Sequence, residues 1–114
     1  MEKQEFALER SDGEDRITVA VRGDVDLSTV DALSQTLDQA TRQGSQVVID
    51  MTDVTFLDST GVRVLVEAYR SAQRSGGALY VRGARHWVAR VLEVTGVARL
   101  LTMPSAEVGE STQK

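Results

Sequence analysis

Val47-Val48-Ile49-Asp50-Met51-Thr52-Asp53-Val54-Thr55-Phe56-Leu57-Asp58-Ser59-Thr60-Gly61 is the stretch that decides the fold. Its first three residues form a β-branched run with no polar alternation, the pattern of a central strand covered on both faces. Asp50 to Asp53 read as an acidic turn. From Thr60 onward Val62, Leu65, Val66, Tyr69 and Ala72 recur at helical spacing, and Gly76-Gly77 ends the pattern. Ser59 therefore falls where strand gives way to helix, with a carboxylate before it and a glycine two residues on.

On the N-terminal side, Phe6 and Leu8 alternate with polar neighbours, and the alternation resumes at Ile17, Val19 and Val21 after the turn-prone Ser11-Asp12-Gly13-Glu14-Asp15. Two strands joined by a turn fit both runs. Gly23 breaks the pattern. Asp24-Val25-Asp26-Leu27 then leads to Ser28, three residues before Asp31, in a spacing like that of a capping box. The helix it predicts carries Val30, Leu33, Leu37 and Ala40, with Gly44 as a left-handed C-terminal cap.

On the C-terminal side, Ala78-Leu79-Tyr80-Val81 predicts a strand. Trp87, Val88, Val91, Leu92 and Val94 predict a third helix, stopping at Gly96, and Val97 to Met103 a short last strand. Pro104 closes the ordered part, and residues 105–114 read as a polar, flexible tail. The expected architecture is a single α/β domain over residues 1–104, with a mixed, mostly parallel sheet of four to five strands and helices packed on it. Loops that follow strands carry sites in such folds. Asp24-Val25-Asp26 and Asp58-Ser59-Thr60-Gly61 are two such loops, placed to converge on one end of the molecule.

Composition narrows the function. At 114 residues without cysteine, the chain offers no disulfide framework and no thiolate metal site, which points to a reducing, cytoplasmic setting. No apolar run reaches the length of a membrane span. A net charge of −4 gives no pull toward nucleic acid. Neither pattern nor composition calls for a metal or cofactor.

By position Ser59 reads as a helix N-cap. Phe56, Leu57 and Val62 would set an apolar rim around its hydroxyl, and that mixture suits a docking face. Asp58 is either a cap or a group that orients an incoming nucleophile. Of the neighbouring acids, Asp24 is the better functional candidate, because Asp26 lies close enough to Ser28 to belong to the capping structure. Phosphate on Ser59 would add roughly −1.5 to −2 charges, part of which the helix start would offset. Swinging a complex from formed to dissociated takes about 5.5 kcal/mol of differential affinity, whereas an exposed ion pair supplies about 0–1 kcal/mol. As a switch, Ser59 must lie inside a contact and not at its rim.

These residues resemble the STAS domain, and within it the free-standing anti-sigma-factor antagonists. The resemblance rests on Gly23-Asp24-Val25-Asp26-Leu27, on Asp50 to Val62, on Gly76-Gly77 before a strand, and on Val91-Leu92-Glu93-Val94-Thr95-Gly96-Val97, and it spans residues 5 to 103. It implies a non-enzymatic partner switch: the unmodified protein binds an anti-sigma factor that is also a serine kinase, the kinase phosphorylates it, and a phosphatase resets it. It implies Ser59 as phospho-acceptor and Asp24, Asp58, Thr60, Gly61, Val62 and Arg63 as the partner-binding set. Arg63 departs from the small residue common there.

Rival readings meet specific obstacles. A serine hydrolase needs a base, and the only histidine is His86, beside Trp87. A receiver domain could build a Mg²⁺ pocket from Asp24, Asp26 and Asp50. Such a domain keeps a lysine near its last strand, yet the only lysines here are Lys3 and Lys114. A third alternative keeps the STAS fold as a constitutive scaffold, or as a soluble part of a transport or lipid-trafficking complex. Trp87 and Tyr80 read as core or edge packing, and Arg82, Arg85 and Arg90 as scattered solvated charge.

Overall fold

The first two strands, β1 (Ala7–Asp12) and β2 (Arg16–Val25), pair antiparallel with Leu8 opposite Val21, as the alternation predicts. The computed structural model that carries them describes residues 5–102. The chain continues through α1 (Val30–Thr41), β3 (Gln46–Leu57), α2 (Ser59–Arg74), β4 (Ala78–Arg82), α3 (His86–Val94) and α4 (Val97–Leu101). Strand order is β1-β2-β3-β4, with β3 parallel to both β2 and β4, giving the expected mixed, mostly parallel sheet with four strands.

Strand alternation sorts the sheet into two faces. Ile17, Val19 and Val21 of β2, Val47, Ile49 and Met51 of β3, and Leu79 of β4 join the buried residues of all four helices in one hydrophobic cluster. Leu33 and Leu37 of α1, Leu65 of α2, Leu92 of α3 and Leu101 of α4 are among them. Val48 is fully buried yet stands outside this cluster, in a cross-strand row between Thr18 and Tyr80, both half-buried. The β3 run is thus interior to the sheet and covered on both faces, as expected: Val47, Val48 and Ile49 are all fully buried.

Further expectations change. The supposed acidic turn is strand: β3 runs on to Leu57 with two register shifts, Ala20 opposite Asp50 but Arg22 opposite Asp53, then Gly23 opposite Val54 but Asp24 opposite Phe56. Each shift places an extra residue on β3, the mark of a bulge. In the first, Asp50 Oδ1 accepts from the Thr52 amide (3.0 Å) and hydroxyl (2.6 Å), so the polar groups there are satisfied locally. Gly23 does not end β2, which continues to Val25.

The expected last strand is instead α4. Val97 and Leu101, four apart, are both buried, and among the described residues strand character survives only as a parallel bridge from Thr102 to Val81. Met103, Pro104 and the expected tail lie outside the described residues. The start of α1 also differs. Ser28 does not cap it; Asp26 Oδ1 accepts from the Ser28 amide (2.9 Å) and hydroxyl (2.7 Å), and the amides of Thr29 and Val30 donate to the Asp26 carbonyl. The C-cap of α1 is Arg42, in right-handed conformation; Gly44, expected to be the cap, adopts φ +76° two residues further on. Among the described residues no helix is long and apolar enough to cross a membrane.

Candidate functional site

The parallel pairing of β2 and β3 brings the two candidate loops to the same edge of the sheet. Val25 pairs with Leu57, and the Asp58 amide donates to the Val25 carbonyl (3.3 Å), extending the pairing by one residue. Asp24 and Asp26 thereby lie beside Phe56 and Asp58. The convergence predicted from loop order is present.

Asp58, not Ser59, is the N-cap of α2. Its backbone is extended (φ −109°, ψ −172°), and its Oδ1 accepts from the amides of Thr60 (2.9 Å) and Gly61 (3.3 Å). The Thr60 hydroxyl also donates to this oxygen. Ser59 becomes the first helical residue; it is exposed, and among the described residues its hydroxyl makes no hydrogen bond. The two adjacent hydroxyls are therefore unlike: Thr60 is half-buried and engaged, Ser59 outward and available.

The cap also alters the electrostatics expected from the sequence. With the Thr60 and Gly61 amides already held by Asp58, and the Val62 amide donating to the Asp58 carbonyl, few donors remain for an anion on Ser59. A phosphate there would meet a carboxylate before it met the positive end of the helix.

Gly61 explains how α2 sits so close to the sheet. A Cβ at this position would lie 2.5 Å from Leu57 Cδ1 and 2.7 Å from Val25 Cγ1, both buried side chains. Val62 is half-buried against the core, and Arg63 points outward with Glu67 3.5 Å away, an exposed i, i+4 pair. Of the expected apolar rim, Phe56 is partly exposed while Leu57 is buried. Leu27, in the loop after β2 and 76% exposed, is a further apolar side chain at this end of the sheet that alternation and periodicity did not single out.

Asp24 is fixed from both ends. Its carbonyl accepts from the Thr29 hydroxyl (2.9 Å), and its Oδ1 accepts from the Thr55 hydroxyl (2.6 Å). Trp87 is 68% exposed, contrary to the packing role expected for it, and lines a cleft of about 260 Å³ with Thr52, Asp53, Thr55 and His86. His86 is exposed, and Ser59 is not part of that cleft. Arg82 lies 3.5 Å from Asp50, and Arg85 donates to the Thr52 carbonyl (3.3 Å), so these two arginines brace the bulged part of β3.

The receiver alternative loses its pocket. Asp50 sits opposite Ala20 and Arg82, whereas Asp24 sits opposite Phe56. Among the described residues no three His, Asp or Glu side chains group as a metal site.

Comparison with known proteins agrees with this architecture. The family described as Mlab, STAS domain, matches residues 8–102. The anti-sigma-B factor antagonist of Bacillus subtilis is 26% identical over 96 residues, covering 84% of this chain and 88% of that protein. The crystal structure of an anti-sigma factor antagonist from Mycobacterium paratuberculosis has a TM-score of 0.76 at 24% identity, covering 96% of each chain. The Bacillus cell fate determinant SpoIIAA, in its phosphorylated form, has a TM-score of 0.65 at 17% identity over 96% of this chain and 100% of that one. At such identities the two structures speak to fold alone. The family match takes in every strand and helix but for Ala7, the first residue of β1, and includes Asp24 at the end of β2 and Ser59 at the start of α2; by that match the chain belongs to the STAS domain family.

Proposed function

We propose that this chain is an anti-sigma-factor antagonist that acts as a phosphorylation-controlled partner switch. Unmodified, it binds an anti-sigma factor that is a serine kinase and so releases a sigma factor. Phosphate on Ser59 ends that binding, and a phosphatase restores it. The chain is itself a binding protein of the cytoplasm and not an enzyme; ATP belongs to the kinase.

The observation that carries this reading is the exposed, unengaged hydroxyl of Ser59 directly after a cap carboxylate. A kinase needs an accessible acceptor, and Thr60, whose hydroxyl is committed to Asp58, is the poorer one. The second support is charge. Modification adds roughly −1.5 to −2 charges beside Asp58, whose carboxylate already occupies nearby amide donors. The phosphate then keeps its hydration, and a partner covering Ser59 must strip it or withdraw. The partner contact comprises Asp24, Asp58, Thr60, Val62 and Arg63, with Leu27 and Phe56 at its apolar margin; buried Gly61 serves by letting α2 approach the sheet. Relatives bearing the antagonist name support the role.

The test is a pair of substitutions in a pull-down with and without ATP, followed by intact-mass analysis. Ser59→Ala should retain the kinase and gain no phosphate, and Ser59→Asp should retain little. Equal retention of both would favour a constitutive scaffold and remove the switch.

A further inference from the structure

We infer that Arg63 is the internal counter-ion of a modified Ser59: phosphate there draws the guanidinium away from Glu67 and holds it over the start of α2. The inference rests on the reading of Ser59 as phospho-acceptor and concerns what the modified chain does within itself.

Spacing supplies the first observation. Ser59, Arg63 and Glu67 follow one another at intervals of four on α2, so their side chains share one face, each about one turn from the next. All three are exposed. Arg63 is also the only basic residue between Arg42 and Arg70, which makes it the cation within one helical turn of the acceptor. The Cα–Cβ bond of a helical residue tilts toward the helix N-terminus, so the long Arg63 side chain can exchange Glu67 for Ser59 by rotamer changes alone.

The second observation is the weakness of the present pair. Arg63 Nε stands 3.5 Å from Glu67 Oε2, and the two side chains are 79% and 59% exposed. Their order is the poorer one. A helical i, i+4 pair is more favourable with the acid N-terminal to the base, and here the base comes first. Phosphate on Ser59 would reverse that order. It would also bring roughly −1.5 to −2 charges against the single charge of Glu67, with oxygens that can accept two parallel N–H···O bonds from a planar guanidinium.

The cap supplies the third observation. Asp58 Oδ1 takes the Thr60 and Gly61 amides, and the Asp58 carbonyl takes that of Val62, so the backbone offers a phosphate on Ser59 little neutralisation. At an uncapped helix start those amides would hold the anion. Here a side chain one turn along does so. Modification therefore changes the contact twice: it adds an anion at Ser59 and withdraws the Arg63 cation from the partner.

The test uses the full chain with phosphoserine installed at position 59 by genetic encoding, and no kinase. Asp58, whose charge opposes ionisation of the phosphate, is common to every variant. In a ³¹P NMR titration, the second acid dissociation constant of the phosphate should be about 2- to 3-fold smaller in Arg63→Gln than in the otherwise wild-type phosphoprotein. Arg63→Lys should recover part of the difference. Arg70→Gln removes the same charge about 16 Å from Ser59 along α2, beyond the roughly 8 Å screening length at physiological salt, and should leave the constant nearly unchanged. The Arg63 Nε–H resonance should move on phosphorylation, and those of Arg70 and Arg74 should stay in place. A phosphate equally acidic with and without Arg63, an equal change in Arg70→Gln, or an unmoved Arg63 resonance would each overturn the counter-ion role. Failure of the switch itself is a separate result: kinase binding that is the same with and without phosphate would remove the switch, whereas the ion pair measured in the isolated chain would stand.

Discussion

At the scale of single residues, the chain separates the cap from the exposed hydroxyl that the proposed switch would use. The sequence places both jobs near Ser59, and the structure gives the cap to Asp58, which frees the neighbouring hydroxyl. Both candidates for a cap were visible in the sequence, but side-chain chemistry alone ranks Ser and Asp alike. Only the extended backbone at Asp58 decides between them. A second carboxylate offers a pH test. Asp50 is held below the usual carboxylate range chiefly by the Thr52 hydroxyl, an effect partly opposed by burial, with the Thr52 amide and Arg82 adding smaller lowering effects. A carboxyl depressed in the folded state contributes stability that is fully present above its unfolded value and is lost as pH falls through the folded one. Urea unfolding of Asp50→Asn should therefore show a shallower loss of stability below about pH 4 than the wild type. Parallel acid limbs would mean that Asp50 gains nothing from its neighbours.

At the scale of elements, the periodic segments were legible and the irregular ones were not. The stripes of α1 and α2, the alternation in β2 and the glycine stops all follow from periodicity that burial enforces. The bulged half of β3 did not, because Asp50, Thr52 and Asp53 look like turn residues until Thr52 and Arg82 are seen to satisfy Asp50 within the sheet. The segment Val97 to Leu101 was equally opaque: five residues are too few for a period to declare itself, and burial of Val97 with Leu101 is a tertiary fact. The junction of β3 and α2 carries its own prediction. Gly61→Ala would place a methyl within 2.7 Å of two packed side chains, and overpacking of that kind costs about 1–3 kcal/mol. Denaturant titration should show that loss, together with weaker partner binding as the start of α2 lifts; wild-type stability would mean the helix has room to move.

For the whole molecule, the sheet divides the labour. One face is sealed by four helices around a single cluster, which makes a rigid base. The proposed site occupies the edge where β2 and β3 end and α1 and α2 begin, so Asp24 closes one of the two deeply packed central strands and Ser59 follows two residues after the other. Phosphate on such a base is expected to act through charge and hydration at the surface and to leave the packing intact. The central claim is thus a claim about one equilibrium, and calorimetric titration of the purified cognate kinase with unmodified and with fully Ser59-phosphorylated chain measures it directly. The account predicts that affinity falls by at least about 100-fold, approaching the roughly 10⁴-fold that a complete swing requires. Affinities within twofold of each other would contradict it.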